Sequence, residues 1–349
     1  MASVVLVTGV SRYLGGLLAR RLVKEPGIAR VVGVDVIPPA QDMSGVEFVR
    51  ADIRNPMIAR VIESAGVDTV VHMNVIATPT FVGGRTPQKE INVIGTMQLL
   101  AACQKSSTVR RLVVKSSAAV YGSTSRDPAL FTEDMGAKRS PSGGFGKDSI
   151  EVEGYVRGFA RRRPDTEILT LRFANIIGPR IRTSITDYFN LPVIPAPLGF
   201  DARMQFMHED DAIDALVVAT TGEATGVVNL AGDGVITVLQ AASIVGRPVL
   251  PLPLQSASFV GGVAKRLRLA DFSADQMSFL AYGRGLDTTR MHELLGFSPR
   301  WTSRGAFEDF ARTVGPAIPA AAVVGDVVSG VAGSASQAVL RALGTGRGL

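Results

Sequence analysis

The residues best suited to chemistry gather at the start of this chain. An apolar, β-branched run, Val4 to Val7, breaks at Thr8-Gly9. A loop then closes on Gly15-Gly16, and a helix-periodic segment carries Leu14, Leu17, Leu18 and Leu22. A second β-branched run, Val31 to Val34, ends on Asp35. This strand–turn–helix–strand order sets a helix N-terminus against the diphosphate of a dinucleotide. A carboxylate about 20 residues after the last turn glycine is placed to accept hydrogen bonds from a ribose. Arg12 breaks the pattern, standing where a third spaced glycine is expected. Glycine there lets backbone approach phosphate with no side chain in between. An arginine turns its guanidinium toward the phosphates, remodels the loop, or faces solvent.

The elements that must position these residues follow from the apolar pattern. Candidate strands are Val4–Val7, Val31–Asp35, Glu47–Arg50, Thr69–His72, Arg111–Lys115 and Ile168–Arg172. Candidate helices fall at Leu14–Lys24, Pro56–Ala65, Lys89–Gln104 and Lys147–Arg162. Their alternation predicts an α/β fold, a Rossmann-type doubly wound parallel sheet covered on both faces. Thr8, Asp35, Asp52, His72 and Ser116 then cluster at the carboxyl ends of the strands, where such sheets bind ligands. After Asn175, Pro and Gly become frequent (Pro179, Pro192, Pro195, Pro197, Gly199), as in loops reaching over a cleft. The expected organisation is a nucleotide-binding domain over residues 1–174, to which some later segments return. A smaller substrate lobe follows over 175–312, then a weakly ordered tail over 313–349.

Bulk composition narrows the partners. The 349 residues are 46% hydrophobic and 19% charged, enough to bury a sizeable core. A net charge of +6 favours anionic ligands. No aromatic-interleaved basic stripe points to nucleic acid, and Arg161 to Arg163 read as dipole partners at a helix end. The single cysteine, Cys103, sits among Leu and Ala and excludes intramolecular disulfides. His72, His208 and His292 are too scattered to suggest a metal site. The N-terminus enters a strand without a charged-then-apolar leader, so a cytoplasmic protein is expected. The most apolar long run, Ala317 to Gly333, is broken by Pro319, Gly325 and Asp326, and no integral membrane segment is expected.

Ten segments in order carry a family likeness: VTGVSRYLGG, VVGVD, RADIRNP, DTVVHM, INVIGTMQLLAAC, LVVKSSAAVYG, GKDSIEVEGYV, LRFANIIGPR, FMHEDDAIDAL and DTTRMHELLGF. Over residues 3–312 the chain resembles the extended short-chain dehydrogenase/reductase family. Within it the likeness is to the NAD-dependent epimerase/dehydratase group that includes UDP-glucose 4-epimerase. The resemblance implies NAD as cofactor, with Thr8, Gly9, Arg12, Tyr13, Leu14 and Gly15 around the pyrophosphate. It places Asp35 on the adenosine ribose, and Asp52 and Ile53 beside the adenine. A carboxylate at position 35 repels a 2′-phosphate and so favours NAD over NADP.

The resemblance also implies a catalytic shell, and there the chain departs. The family uses a Tyr four residues before a Lys, one helical turn apart on one face. The ammonium lowers the phenol pKa and holds the nicotinamide ribose. Lys147 is assigned to the lysine position, which puts Gly143 where the tyrosine should stand, while Ser117 matches the family's hydroxyl. Ala118 and Ala119 replace the acid pair that dehydratases carry before the VYG tripeptide, so a 4,6-dehydratase is disfavoured. Asn92 matches a helix residue that bonds main chain near the site. Tyr121 and His72 are read as structural. On the substrate side the resemblance points to Asn175 and Arg203. It implies a small-molecule substrate such as a nucleotide sugar, and a homodimer formed through Lys89–Gln104 and Lys147–Arg162. Two alternatives stay open: a catalytically impaired NAD-binding sensor or scaffold, and a reductase of an apolar alcohol suggested by Leu191–Phe200.

Overall fold

The computed structural model describes residues 2–73, 83–141, 144–253 and 274–315. Seven strands form its main parallel sheet. They are β1 (Ser3–Thr8), β2 (Ile28–Asp35), β3 (Val46–Arg50), β4 (Thr69–His72), β5 (Arg111–Ser117), β6 (Glu167–Phe173) and β11 (Gly226–Leu230). Their order is β11-β6-β5-β4-β1-β2-β3, so the winding reverses between β1 and β4. A crevice opens at such a reversal beyond the carboxyl ends of the strands. β1 and β4 are buried at nearly every position, as expected for strands covered on both faces.

Helices cover the two faces. On one, α1 (Tyr13–Leu22) lies with α7 (Glu209–Thr221), and Leu18, Ala19, Ile213 and Leu216 join Val5, Val7 and Val113 in one apolar cluster. On the other, α2 (Ile58–Ala65), α4 (Thr96–Lys105) and α5 (Gly144–Arg162) pack Ile58, Leu99, Val152 and Phe159 against Leu6 and Leu112. Between α2 and α4, α3 (Arg85–Lys89) continues through π-helical turns, Glu90–Gly95, into α4.

The second lobe has its own core, with Tyr188, Phe189, Phe206, Leu280, Phe307 and Phe310 at its centre. It contains α6 (Ser184–Phe189), α8 (Val238–Ile244), α9 (Ala274–Tyr282) and α11 (Ser303–Ala311), with three short strand pairs. Both α7 and β11 come after residue 174 and complete the seven-stranded sheet and its cover. Residues 316–349, most of the expected tail, lie outside the described residues, as does Gly143.

Candidate functional site

One cavity of about 1230 Å3 runs from the loop after β1, past the end of β5, and into the second lobe. At its first end the chain leaves β1 through Gly9 at φ 77, a left-handed backbone that glycine adopts without strain. Gly15 cannot carry a side chain: a Cβ there would lie 2.2 Å from the Gly9 carbonyl oxygen. That close packing holds the start of α1 against the strand end. Gly9, Arg12, Tyr13, Leu14 and Gly15 all line the cavity. Thr8 does not. Its Oγ1 lies 3.0 Å from His72 Nδ1 and accepts from the Met73 N–H at 3.1 Å, tying the ends of β1 and β4 together.

Asp35 is buried at the end of β2 and accepts from the backbone N–H of Ser11 at 3.0 Å and of Val36 at 2.7 Å. Its carboxylate thereby fixes the glycine loop. Asp52 grips Arg54 at 2.6 Å, which holds its carboxyl below the usual range, and Ile53 is buried in the sheet-face core. Neither of these two lines the cavity.

Arg12 caps the N-terminus of α1 with extended backbone (φ −92, ψ 156) and lines the cavity. Burial lowers its pKa, and the nearby Asp35 opposes that effect. Lys115, near the end of β5, lines the same space. Burial and the positive field of Arg12 push its pKa down to about 8. Two residues on, Ser117 also lines the cavity, and its Oγ accepts from the Ala119 N–H at 3.1 Å. The hydroxyl proton is left to be donated elsewhere. Strand alternation puts Lys115 and Ser117 on one side of β5 and Ser116 on the other. Ser116 donates to Glu153 Oε1 at 2.6 Å.

That bond fixes the register of α5. Glu153 also pairs with the buried Arg172 at 2.7 Å, so its face of the helix meets β5 and β6. One and two turns earlier on this face stand Ser149 and Phe145. Phe145 lines the cavity, and Ser149 is buried and donates to the Phe145 carbonyl at 2.9 Å. Lys147 lies between them in sequence, so it falls on another face, where it is exposed and does not line the cavity. The structure therefore does not bring Lys147 together with Ser117. On α5 it is Phe145 that faces the cavity, and four residues on, on the same side of the helix, stands the buried Ser149, two positions beyond the Gly143–Lys147 pair. The start of α5 is held by Arg85, whose guanidinium binds Asp148 at 2.6 Å and the Gly144 carbonyl at 3.0 Å. Asn92 donates to the same Asp148 carboxylate at 3.2 Å.

Of the two expected substrate residues, Asn175 lines the cavity and Arg203 does not. The Arg203 side chain is exposed, and it is the backbone that works here: its carbonyl accepts from the Arg284 N–H at 3.0 Å. Arg284 lines the cavity instead. It donates to the Gly122 carbonyl at 2.9 Å and sits over the Phe279 ring at 5.2 Å. Burial pushes its pKa down to about 10. No local sequence pattern marks a cation so placed. Arg126, Lys138, Arg139 and Arg182 line the same end, and Asp275 is the lone acidic residue among the described lining residues. Arg180, at the rim, is instead locked to the buried Glu209 at 2.7 Å, which also accepts from the Tyr13 hydroxyl at 3.1 Å.

This geometry offers a glycine loop open to a cavity lined by cations, and a carboxylate at the end of β2 that anchors the loop. Those residues fit a dinucleotide. The comparisons with known proteins agree. The model of the NAD dependent epimerase/dehydratase family matches residues 5–231. The chain belongs to this family. An uncharacterized protein of Mycobacterium tuberculosis is 46% identical over 313 residues, covering 88% of this chain and 83% of its own. Among solved structures, a UDP-glucuronic acid 4-epimerase from Bacillus cereus, in complex with UDP-glucuronic acid and NAD, aligns with TM-score 0.68 at 20% identity. A UDP-glucose 4-epimerase from Thermotoga maritima with UDP-glucose aligns with TM-score 0.66 at 19% identity. Each alignment covers 89% of this chain and 98% of the other, and shows the same fold. Among the described residues no helix is long and apolar enough to cross a membrane.

Proposed function

We propose that this protein binds NAD along the Gly9–Gly15 loop and Asp35, and binds an anionic, hydroxyl-bearing substrate of the nucleotide-sugar class in the adjoining lobe. The observation that carries this reading is the continuous cavity that joins the glycine loop and Ser117 to a far end lined by Arg126, Lys138, Arg139 and Arg284. Bound NAD supplies a reversible hydride acceptor. Asp35 takes the adenosine ribose, and the start of α1 takes the diphosphate. Ser117 orients the substrate hydroxyl. The proton transfer that accompanies carbinol oxidation does not run through the cavity-facing ring of α5, because Phe145 has no proton to exchange.

A second reading, an NAD-binding sensor or scaffold without turnover, is favoured by that same substitution. Losing a positioned acid/base costs about 10²–10⁴ in rate. The experiment is to incubate the purified protein and NAD with UDP-glucose, UDP-galactose and their uronic acids. Epimer is followed by proton NMR and reduced nicotinamide by absorbance at 340 nm. Interconversion that is lost in Ser117→Ala supports the first reading. NAD binding without any interconversion supports the second. A homodimer through α4 and α5 is supported by Ile94, on the π-helical turns leading into α4, and Tyr155 on α5, apolar side chains left 40% and 38% exposed; light scattering reads the mass.

A further inference from the structure

Two cations face this cavity with no anion to answer them. Arg12 projects from the start of α1 and Lys115 from the end of β5, on either side of the reversal in the sheet. Both line this one cavity, and Arg12 lies close enough to depress Lys115. Among the described residues neither has a carboxylate within ion-pair distance, although Asp35 offsets part of the burial cost of Arg12. The other groups around Lys115 do not compensate it. His72, on β4, is held neutral by burial and by Lys115 itself, with its pKa down at about 4. Phe145 and Ser149 carry no charge, and Glu153 is spent on Arg172 and Ser116. Placing a half-buried ammonium beside a half-buried guanidinium costs stability, and natural chains tend to keep such strain where a ligand relieves it.

We propose that Arg12 and Lys115 form a two-sided cation clamp that closes on the diphosphate of the bound dinucleotide from opposite walls of the crevice. The proposal rests on the NAD reading above and assigns a role to the residue that breaks the glycine pattern. Arg12 does not obstruct the phosphates: it replaces a close backbone approach with a charge-assisted contact. Lys115 brings to the site, from a strand, a cation that α5 does not present there.

The clamp couples binding to protonation. Free Lys115 titrates at about 8. A bound diphosphate stabilises the ammonium and raises that pKa, so binding takes up protons near and above pH 8. The clamp's contribution is complete below the free pKa and is lost as pH rises through the bound one.

The test is calorimetric titration of NAD, and separately of adenosine, into the wild type, Arg12→Gly, Lys115→Met and Lys115→Arg. The clamp predicts at least tenfold weaker NAD binding in Arg12→Gly and in Lys115→Met, with adenosine affinity unchanged. Lys115→Arg retains NAD affinity and removes the decline between pH 7 and 9.5. Thermal unfolding without ligand checks for a structural role. Removing an unpaired, half-buried cation should leave the melting temperature of Lys115→Met equal to the wild type or higher, whereas a residue that only supports the fold would lower it. Tighter NAD binding in Arg12→Gly would show that Arg12 obstructs the site and overturn the clamp, as would unchanged affinity in Lys115→Met. A wild type that binds no NAD at all would instead overturn the cofactor reading on which the clamp rests.

Discussion

Phe145, which lines the cavity, and the buried Ser149 stand one turn apart on α5, joined by a 2.9 Å bond from the Ser149 hydroxyl to the Phe145 carbonyl. This is the spacing that a tyrosine–lysine pair needs, occupied by a ring without a hydroxyl and a hydroxyl without a charge. On the proposed reading, α5 keeps the spacing for proton transfer without the groups that perform it. Restoring the phenol is therefore informative. Phe145→Tyr combined with Ser149→Lys should raise epimerisation of an accepted nucleotide sugar by roughly 100-fold or more, read as product by NMR at fixed enzyme concentration. No gain, in a variant that still binds NAD, would show that the site is not arranged for this reaction.

A buried ion pair helps to fix the register of α5. Glu153 meets Arg172 at 2.7 Å, and Arg172 also donates to the Tyr121 hydroxyl at 2.8 Å and to the Glu133 carbonyl at 2.9 Å. Removing one partner of a buried pair leaves the other charge uncompensated. Glu153→Gln should cost about 3 kcal/mol, measured by urea unfolding at pH 7. A loss below 1 kcal/mol would mean that the pair does not fix the helix.

Acid should destabilise the protein through His72. Its pKa falls from 6.5 when unfolded to about 4 when folded, because burial disfavours the charged ring and Lys115 repels it. The unfolded chain then binds the extra proton, so stability falls as pH drops from 6.5 toward 4, by roughly 3 kcal/mol in all. Unfolding free energies across that window should show the slope, and His72→Gln should flatten it. An equal slope in the variant would assign the effect to other groups.

Gly15 tests the loop. With a Cβ only 2.2 Å from the Gly9 oxygen, Gly15→Ala must displace α1 or the loop. Overpacking of this kind costs about 1–3 kcal/mol. We expect the variant to fold with a lower melting temperature and to bind NAD at least tenfold more weakly. Unchanged affinity would detach the loop from the binding site.

Much of this architecture is legible in sequence because its strands are β-branched runs ended by polar residues. Val4–Val7 grows only to Ser3–Thr8, and Thr69–His72 is unchanged. The site is less legible. Lys147 draws attention as a lysine near the start of the right helix, yet the helical face is marked by residues without obvious chemistry. Phe145, Ser149 and Glu153 recur at four-residue intervals, while Lys147 and Glu151 share the solvent side, where Glu151 meets Lys89 at 3.8 Å. Reading that periodicity back from Glu153 would have set the register. Lys115 hides in an apolar strand, and its position is meaningful only once Arg12 is seen near it. The choice of Arg284 over Arg203 depends on a long-range contact, the Arg203 carbonyl to the Arg284 N–H, which no local pattern encodes.

On the proposed reading, Asp35 at the end of β2 selects NAD over NADP. Calorimetric titration of NAD and NADP into the wild type and Asp35→Asn tests this most directly. The account predicts NAD binding at least tenfold tighter than NADP in the wild type, with the gap closing in Asp35→Asn. Equal affinities in the wild type, or no NAD binding, would contradict it.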